Sequence, residues 1–459
     1  MSEHTVDVVV VGLGPGGEAV AGSLAEKGLR VVGIESHLVG GECPYYGCIP
    51  SKMIIRGADL LAEARRVDGI AGTATVTPDY TFVADRIRDE ATDDWDDTVA
   101  VDRLVGKGGT FVRGHGRIDG PGRVVVGDDA YVASRGIVIA TGTSPALPPI
   151  PGLADASPWT NREIFKIRRN PASLIVLGGG AIGLELAQAM SRYGTTVTVI
   201  EALDRILAPE EPESSELLTT VLRAEGIEVR VGVAASSVSR AGDGGPVTVT
   251  LADGSSVTAD EILVAAGRTP NLRGIGLDTL GLDETARPTF TVDEHMRVRG
   301  VDGLWAVGDI AGKGAFTHMA AYEADIAVDD ILGVPSPRLA QDHAVSRVTF
   351  TDPEVGSVGM TEAQARAAGL NVQVGLADSS TSSRGWIHKA GNEGLMKLIV
   401  DADRGILVGA SSVGPRGGSV LGLFNLAVHA RVPVSELQSM IYAYPTFYRG
   451  ALDALANIG

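Results

Sequence analysis

One local pattern occurs twice in this chain of 459 residues, and it restricts the fold more than any other feature. Residues 6–11 are a β-branched run broken only by Asp7, the mark of a strand buried in a parallel sheet. They lead into Gly12-Leu13-Gly14-Pro15-Gly16-Gly17, a helix-forming stretch over 18–27, and a strand over 30–34 that ends at Glu35. The unit returns as a strand over 174–177, then Gly178-Gly179-Gly180-Ala181-Ile182-Gly183, a helix to about Tyr193, and a strand over 196–200 ending at Glu201. In such a unit the first glycine (Gly12, Gly178) makes the turn and the second (Gly14, Gly180) lets backbone approach a pyrophosphate. The third (Gly17, Gly183) allows close helix packing, and the acid (Glu35, Glu201) can accept from ribose hydroxyls. A single glycine motif is weak evidence, but each copy here has its strand, helix and acid. Two fingerprints imply two bound dinucleotides; the alternative is a duplicated scaffold with one inactive site. A carboxylate at position 201 suits the 2′-OH of NAD and repels the 2′-phosphate of NADP, which favours NAD(H) over NADP(H).

The chain has only two cysteines, and they lie five positions apart in Gly40-Gly41-Glu42-Cys43-Pro44-Tyr45-Tyr46-Gly47-Cys48-Ile49-Pro50-Ser51-Lys52. A disulfide needs Cα atoms about 4.4–6.8 Å apart. Residues i and i+5 of a regular helix are too far apart, so Cys43 and Cys48 must close over a distorted first turn, with Gly47 supplying backbone latitude. Pro50 suits the opening turn of a helix, which places Cys48 near a helix N-terminus, where a thiolate is stabilised. That describes a pair able to cycle between dithiol and disulfide; the plainer reading is two unrelated buried thiols.

The totals set outer limits. A chain of this length predicts two to four domains, and 44% hydrophobic with 21% charged residues is ordinary globular composition. A net charge of −18 argues against a nucleic-acid surface and an anionic membrane. No apolar segment is long enough to span a bilayer, and Met1-Ser2-Glu3-His4 lacks the basic start of a secretory signal. A cytoplasmic location is expected, with a catalytic rather than structural cysteine pair.

The cysteine stretch resembles the active-site signature of the FAD-dependent pyridine nucleotide–disulfide oxidoreductases, which include dihydrolipoamide dehydrogenase, glutathione reductase and mercuric reductase. It departs mainly in Pro44-Tyr45-Tyr46. Further matches follow in the family's order: Gly116 near the adenine; Ala140-Thr141-Gly142; Ala266-Gly267-Arg268-Thr269-Pro270-Asn271; and Gly303 through Asp309, whose Asp contacts the ribityl chain. Residues 315–318, ending in His318, match the segment beside the flavin ring, with no catalytic role expected of His318. The resemblance implies an α/β fold of two Rossmann-like domains plus a C-terminal α+β dimerisation domain. FAD would lie in 1–147 and 271–338 and the nicotinamide nucleotide in 148–270. Residues 339–459 would form the interface of a homodimer. Residues 54–105 read as two helices, their acidic cluster over 89–97 as a solvated face, and 256–264 as one strand.

By the same resemblance Cys48 is the thiol next to the flavin and Cys43 attacks the substrate. Lys52 stands near flavin N5 or O4, paired with Glu185. The family's C-terminal His base, however, is replaced. Tyr444 precedes Pro445 where the His should stand, and Arg449 occupies the position of its Glu. A phenol with unperturbed pKa about 10 is a poor base at neutral pH. The leading expectation is an NAD(P)H-dependent reductase of a small disulfide, like dihydrolipoamide dehydrogenase. A second is a reductase of a quinone, dye or metal ion, as in mercuric reductase, although the chain ends without a second cysteine pair. A third is a flavoprotein serving mainly as a binding partner in a larger complex.

Overall fold

The computed structural model describes residues 2–283 and 289–459. Met1, part of the N-terminal reading, lies outside the described residues. The chain forms two compact units. The first comprises Met1–Pro50, Arg86–Pro145 and Arg268–Asp342; the second comprises Ser51–Asp85, Ala146–Gly267 and His343–Gly459.

In the first unit the strand Ser2–Val11 lies beside Val31–Glu35 and Asp129–Ile139, parallel to both. Thr110–Arg113 extends the sheet beyond Val31–Glu35, and Leu304–Ala306 joins Asp129–Ile139, also in parallel. Val8, Val9 and Val10 are completely buried, as the β-branched run requires. Asp7, the polar residue in that run, falls at a register shift between Val6 and Val8, where its carboxylate takes the Arg30 guanidinium at 2.8 Å. The hydrogen bonds from Arg30 hold the Asp7 carboxyl well below its usual range. Beyond Val31–Glu35 come a five-residue helix, Glu42–Tyr46, and the long helix Cys48–Arg65.

The second unit repeats the plan. Ser173–Leu177 is flanked by Thr196–Ile200 and Glu261–Val264, all parallel. A three-stranded antiparallel sheet over Ala235–Arg240, Val247–Leu251 and Ser256–Ala259 packs its valines against this sheet. Residues 256–264 are thus two strands in different sheets, not one. The chain turns at Asp260, whose carboxylate accepts from the amide and hydroxyl of Ser173. A five-stranded antiparallel sheet, with Ile406–Gly414 between Glu354–Gly359 and Leu395–Asp401, carries the helix Gly417–His429.

Residues 54–105 also depart from expectation. Besides Cys48–Arg65 there is a helix Thr81–Arg86, continued by a π-helical turn over Ile87–Ala91, and a further helix Thr98–Gly106. The acidic cluster is only partly a solvated face. Asp97 accepts the Val39 amide at 2.6 Å and pairs with Arg113 at 2.5 Å, so it ties the turn after Val31–Glu35 to the end of Thr110–Arg113.

Lys397 is the most demanding charge of the second unit. Its side chain is only 3% exposed, and its ammonium sits 2.9 Å from Glu211, 2.8 Å from Glu213 and 2.9 Å from Glu362. Burial opposes its charge, and the three carboxylates more than offset that, so its pKa is raised. Breaking a buried pair by removing one partner costs about 3–5 kcal/mol. Lys397→Met is therefore expected to lower the urea-unfolding free energy by about 3 kcal/mol at pH 7. Lys397 also lowers the Glu362 pKa, a contribution present above the unfolded value and lost as pH falls through the folded one. The deficit should accordingly narrow toward pH 4.

Candidate active site

The two glycine turns are built alike. A Cβ at Gly12 would lie 2.5 Å from the Ala140 carbonyl oxygen, and one at Gly178 would lie 2.3 Å from that of Ala265. Both have positive φ, +90° and +113°. A Cβ at Gly17 would be 2.0 Å from the Gly12 oxygen and one at Gly183 would be 2.2 Å from the Gly178 oxygen. Gly14 and Gly180, in contrast, face open space. Each is the N-cap of a twelve-residue helix, Pro15–Glu26 or Ala181–Arg192, with no side chain capping it. The free amides and the helix dipole favour an anion there.

The acids answer one another as well. Glu35 accepts the Leu13 and His37 amides, each at 2.8 Å; Glu201 accepts the Gly179 amide at 2.7 Å and the Leu203 amide at 2.8 Å. Each carboxylate thus fastens its glycine loop to the end of the next strand while keeping lone pairs for a ligand. Arg205, the cation four positions after Glu201, directs its guanidinium to the Ala208 and Glu210 carbonyls.

In the first unit, residues from four distant motifs meet. Thr143 donates to Asp309 at 2.5 Å and accepts from Arg268 at 2.7 Å; Arg268 reaches Glu42, next to Cys43, at 3.4 Å. Asn271 donates to the Thr141 carbonyl at 2.9 Å. The Gly308 amide donates to Glu323 at 2.6 Å; Glu323 is completely buried, and burial pushes its carboxyl up to about 8. The sequence alone singled out Asp309, Thr141, Gly142 and Gly267, but not the roles of Thr143, Arg268 and Glu323. These are ordinary polar residues until the fold places them behind the motif. Gly116 packs a would-be Cβ 3.2 Å from Ile34, against the strand that ends at Glu35. Gly142 and Gly267 both have positive φ.

Cys43 and Cys48 come together, but not over one distorted turn. Cys43 is on the short helix Glu42–Tyr46, the chain breaks at Gly47, and Cys48 begins the 18-residue helix Cys48–Arg65. No disulfide joins them. The hydrogen bond with Cys48, and then burial, push the Cys43 thiol well up, opposed by the Thr317 hydroxyl. Thr317 Oγ1 stands 3.3 Å from Cys48 Sγ. The motif reading stopped at its neighbour His318, whose ring stacks on Phe316 with centroids 5.2 Å apart.

Within the second unit Lys52 Nζ is 2.7 Å from Glu185, whose side chain is 6% exposed. The other Glu185 oxygen accepts the Phe350 amide at 2.8 Å, and the Lys52 ammonium lies 4.5 Å from the Phe350 ring centroid. The pairing that the resemblance implied is formed. Tyr444 is 67% exposed, with the Arg449 guanidinium 5.4 Å from its ring centroid. Its turn is held by the Tyr448 hydroxyl, which accepts the Ala443 amide at 2.7 Å. The structure also brings His388 to this segment, its ring 5.5 Å from that of Phe447, a proximity the linear chain does not reveal.

Residues 6–324 match the model of the pyridine nucleotide-disulphide oxidoreductases, and residues 345–454 match that family's dimerisation domain. The chain belongs to this family. A dihydrolipoyl dehydrogenase of Thermus scotoductus is 34% identical over 98% of this chain and 96% of its own length. A mercuric reductase of Shigella flexneri is 33% identical over 98% of this chain and 80% of its own. Among solved structures, the HOCl-induced flavoprotein disulfide reductase RclA from Escherichia coli superposes with a TM-score of 0.85 at 25% identity, covering 98% of this chain and 99% of that one.

The chain is therefore an FAD-dependent oxidoreductase, and its residues fit the cofactor. Gly14 leaves room at an uncapped helix N-terminus for a pyrophosphate, and the Thr141 hydroxyl is buried without a hydrogen-bond partner. Asp309 is oriented by Thr143. Among the described residues no group of three or more His, Cys, Asp or Glu could hold a metal ion, and no helix is long and apolar enough to cross a membrane.

The glycine geometry makes a paired prediction. Gly17→Ala must displace the Gly12 carbonyl and should cost about 1–3 kcal/mol of stability, as overpacking does. Gly14→Ala meets nothing in the protein, so its unfolding midpoint should stay near wild type while bound flavin, read by absorbance near 450 nm, is reduced.

Proposed function

We propose that this flavoprotein transfers electrons from NADH through the Cys43–Cys48 pair to a small disulfide, in the manner of a dihydrolipoamide dehydrogenase. The observation that carries this reading is the contact between the two thiols at the start of the Cys48–Arg65 helix, in a chain with two dinucleotide turns. FAD, when bound, supplies a two-electron carrier between nicotinamide and sulfur. The chain's own residues do the rest. The N-terminal turn holds FAD and the turn at Gly178 holds the nicotinamide nucleotide, in the partition 1–147 with 271–338, 148–270 and 339–459. Lys52, fixed by Glu185, places a positive charge where reduction builds negative charge. Cys43 is the sulfur presented to substrate and Cys48 its internal partner. A homodimer is supported by the dimerisation-domain match and by exposed apolar side chains in that region, including Ile441 (95% exposed), Trp386 and Leu426. A cytoplasmic setting fits a chain whose only cysteines form one cycling pair.

NADH is favoured over NADPH because Glu201 presents a carboxylate while Arg205 is turned to backbone carbonyls. Like charges brought together cost several kcal/mol. We expect kcat/KM for NADH to exceed that for NADPH by about a hundredfold, with Glu201→Gln narrowing the ratio.

A second reading, reduction of a metal ion or quinone, is favoured by Tyr444. The Cys48 contact and burial push the Cys43 thiol up, so ionising it as a nucleophile calls for a base, and an exposed phenol beside a guanidinium is a poor one. The matches include a mercuric reductase and a Cu(II) complex of RclA. Steady-state assays with lipoamide, a quinone and Hg(II) decide between the two readings. Lipoamide turnover abolished by Cys43→Ser supports the first. Quinone turnover that survives Cys43→Ser, or Hg(II) turnover that outpaces lipoamide, supports the second. Under the first reading, Tyr444→His with Arg449→Glu should raise lipoamide turnover by tenfold or more, since a general base contributes about 10²–10⁴. An unchanged rate would show that position 444 is not a vacant base site.

A further inference from the structure

Thr317 opens the sixteen-residue helix Thr317–Leu332, and its hydroxyl touches Cys48 of the cysteine pair. Its Oγ1 lies 3.3 Å from Cys48 Sγ, and the hydroxyl also works against the upward pull on the Cys43 thiol. Phe316, at the N-cap position, makes no side-chain capping bond, so the Thr317 hydroxyl is the polar group that this helix end presents to sulfur. The value of that contact depends on redox state. A disulfide sulfur is a weak acceptor, whereas a thiolate accepts a charge-assisted bond from a hydroxyl.

We propose that Thr317 is a positioning residue that donates to the Cys48 sulfur in the reduced protein and so biases the Cys43–Cys48 pair toward the dithiol state. The inference rests on the reading of the pair as one that cycles. On reduction the S–S bond breaks, two electrons and one proton are taken up, the proton stays on Cys43, and Cys48 carries the negative charge. The Thr317 O–H then binds that charge, and it loses this bond when the disulfide re-forms. The electrons come from the nicotinamide in turnover and from dithiothreitol in the test below.

The test equilibrates the purified flavin-loaded protein in dithiothreitol buffers of graded oxidised-to-reduced ratio. Samples are trapped with iodoacetamide, and the reduced fraction is read by mass spectrometry. Thr317→Val keeps the shape and removes the donor. A hydrogen bond to a charged group is one of the stronger kind, so the equilibrium should move toward disulfide by about tenfold or more. Tenfold corresponds to a midpoint about 30 mV more negative for this two-electron couple. Thr317→Ser, which keeps the hydroxyl, should stay within about twofold of wild type. A valine variant within twofold of wild type, or a serine variant shifted as far as valine, overturns the proposal. If the valine variant does not fold, Thr317→Ala is read against the same two limits. If wild type forms no Cys43–Cys48 disulfide in any buffer, the pair does not cycle, and the function proposed above fails together with this inference.

Discussion

Where Gly17 passes the carbonyl of Gly12 there is no room for a side-chain carbon, and the same holds for Gly183 over Gly178. That close approach lets a helix begin directly off the end of a buried strand, with its first amides aimed outward. Everything placed at the nucleotide turns depends on it. Gly14 and Gly180 stay open to a ligand only because their neighbours pack so tightly. The acidic residues complete the arrangement, each tying its loop to the following strand through two backbone amides.

Charge is distributed with similar economy. The chain is strongly acidic, yet its buried cations are surrounded rather than isolated. Arg192, 4% exposed, bonds Asp59, Glu225 and Asp352, and Lys397 bonds three glutamates. These clusters join segments far apart in sequence within the second unit, so each lends direction to the packing of an otherwise apolar interior. Lys52 belongs to the same style of construction but is less buried. Glu185 and the Phe350 ring hold its ammonium in place, while more than a third of its side chain stays accessible.

The sulfur pair is asymmetric before any substrate arrives. Cys43 sits on a short helix, hydrogen-bonded with Cys48, and Cys48 begins a long helix beside the Thr317 hydroxyl. The contact with Cys48 and burial both push the Cys43 thiol up. The asymmetry gives position 444 its importance. A thiol pushed up in this way needs a base to ionise, and Tyr444 beside the Arg449 guanidinium is a poor one.

The amino-acid order by itself determined the two dinucleotide turns, the cysteine pair, and the motif positions of Lys52, Glu185 and Asp309, because each rests on short-range spacing. Glycine at set intervals after a β-branched run has few other uses, and two lone cysteines five positions apart are hard to misread. What it missed depends on contacts across long separations. The stretch over 256–264 reads as one strand because period and composition carry no sign of Asp260 binding Ser173. Asp97 reads as solvated because its partners, Val39 and Arg113, lie on other elements. Thr143, Arg268, Glu323 and Thr317 are unremarkable in sequence and acquire their roles only when the fold brings the end of one strand, the start of one helix and the cysteine turn within hydrogen-bonding distance. Local steric rules act over a few residues and so survive in the linear chain; the polar contacts that tune the site are set by tertiary packing, which alone decides which distant side chains meet.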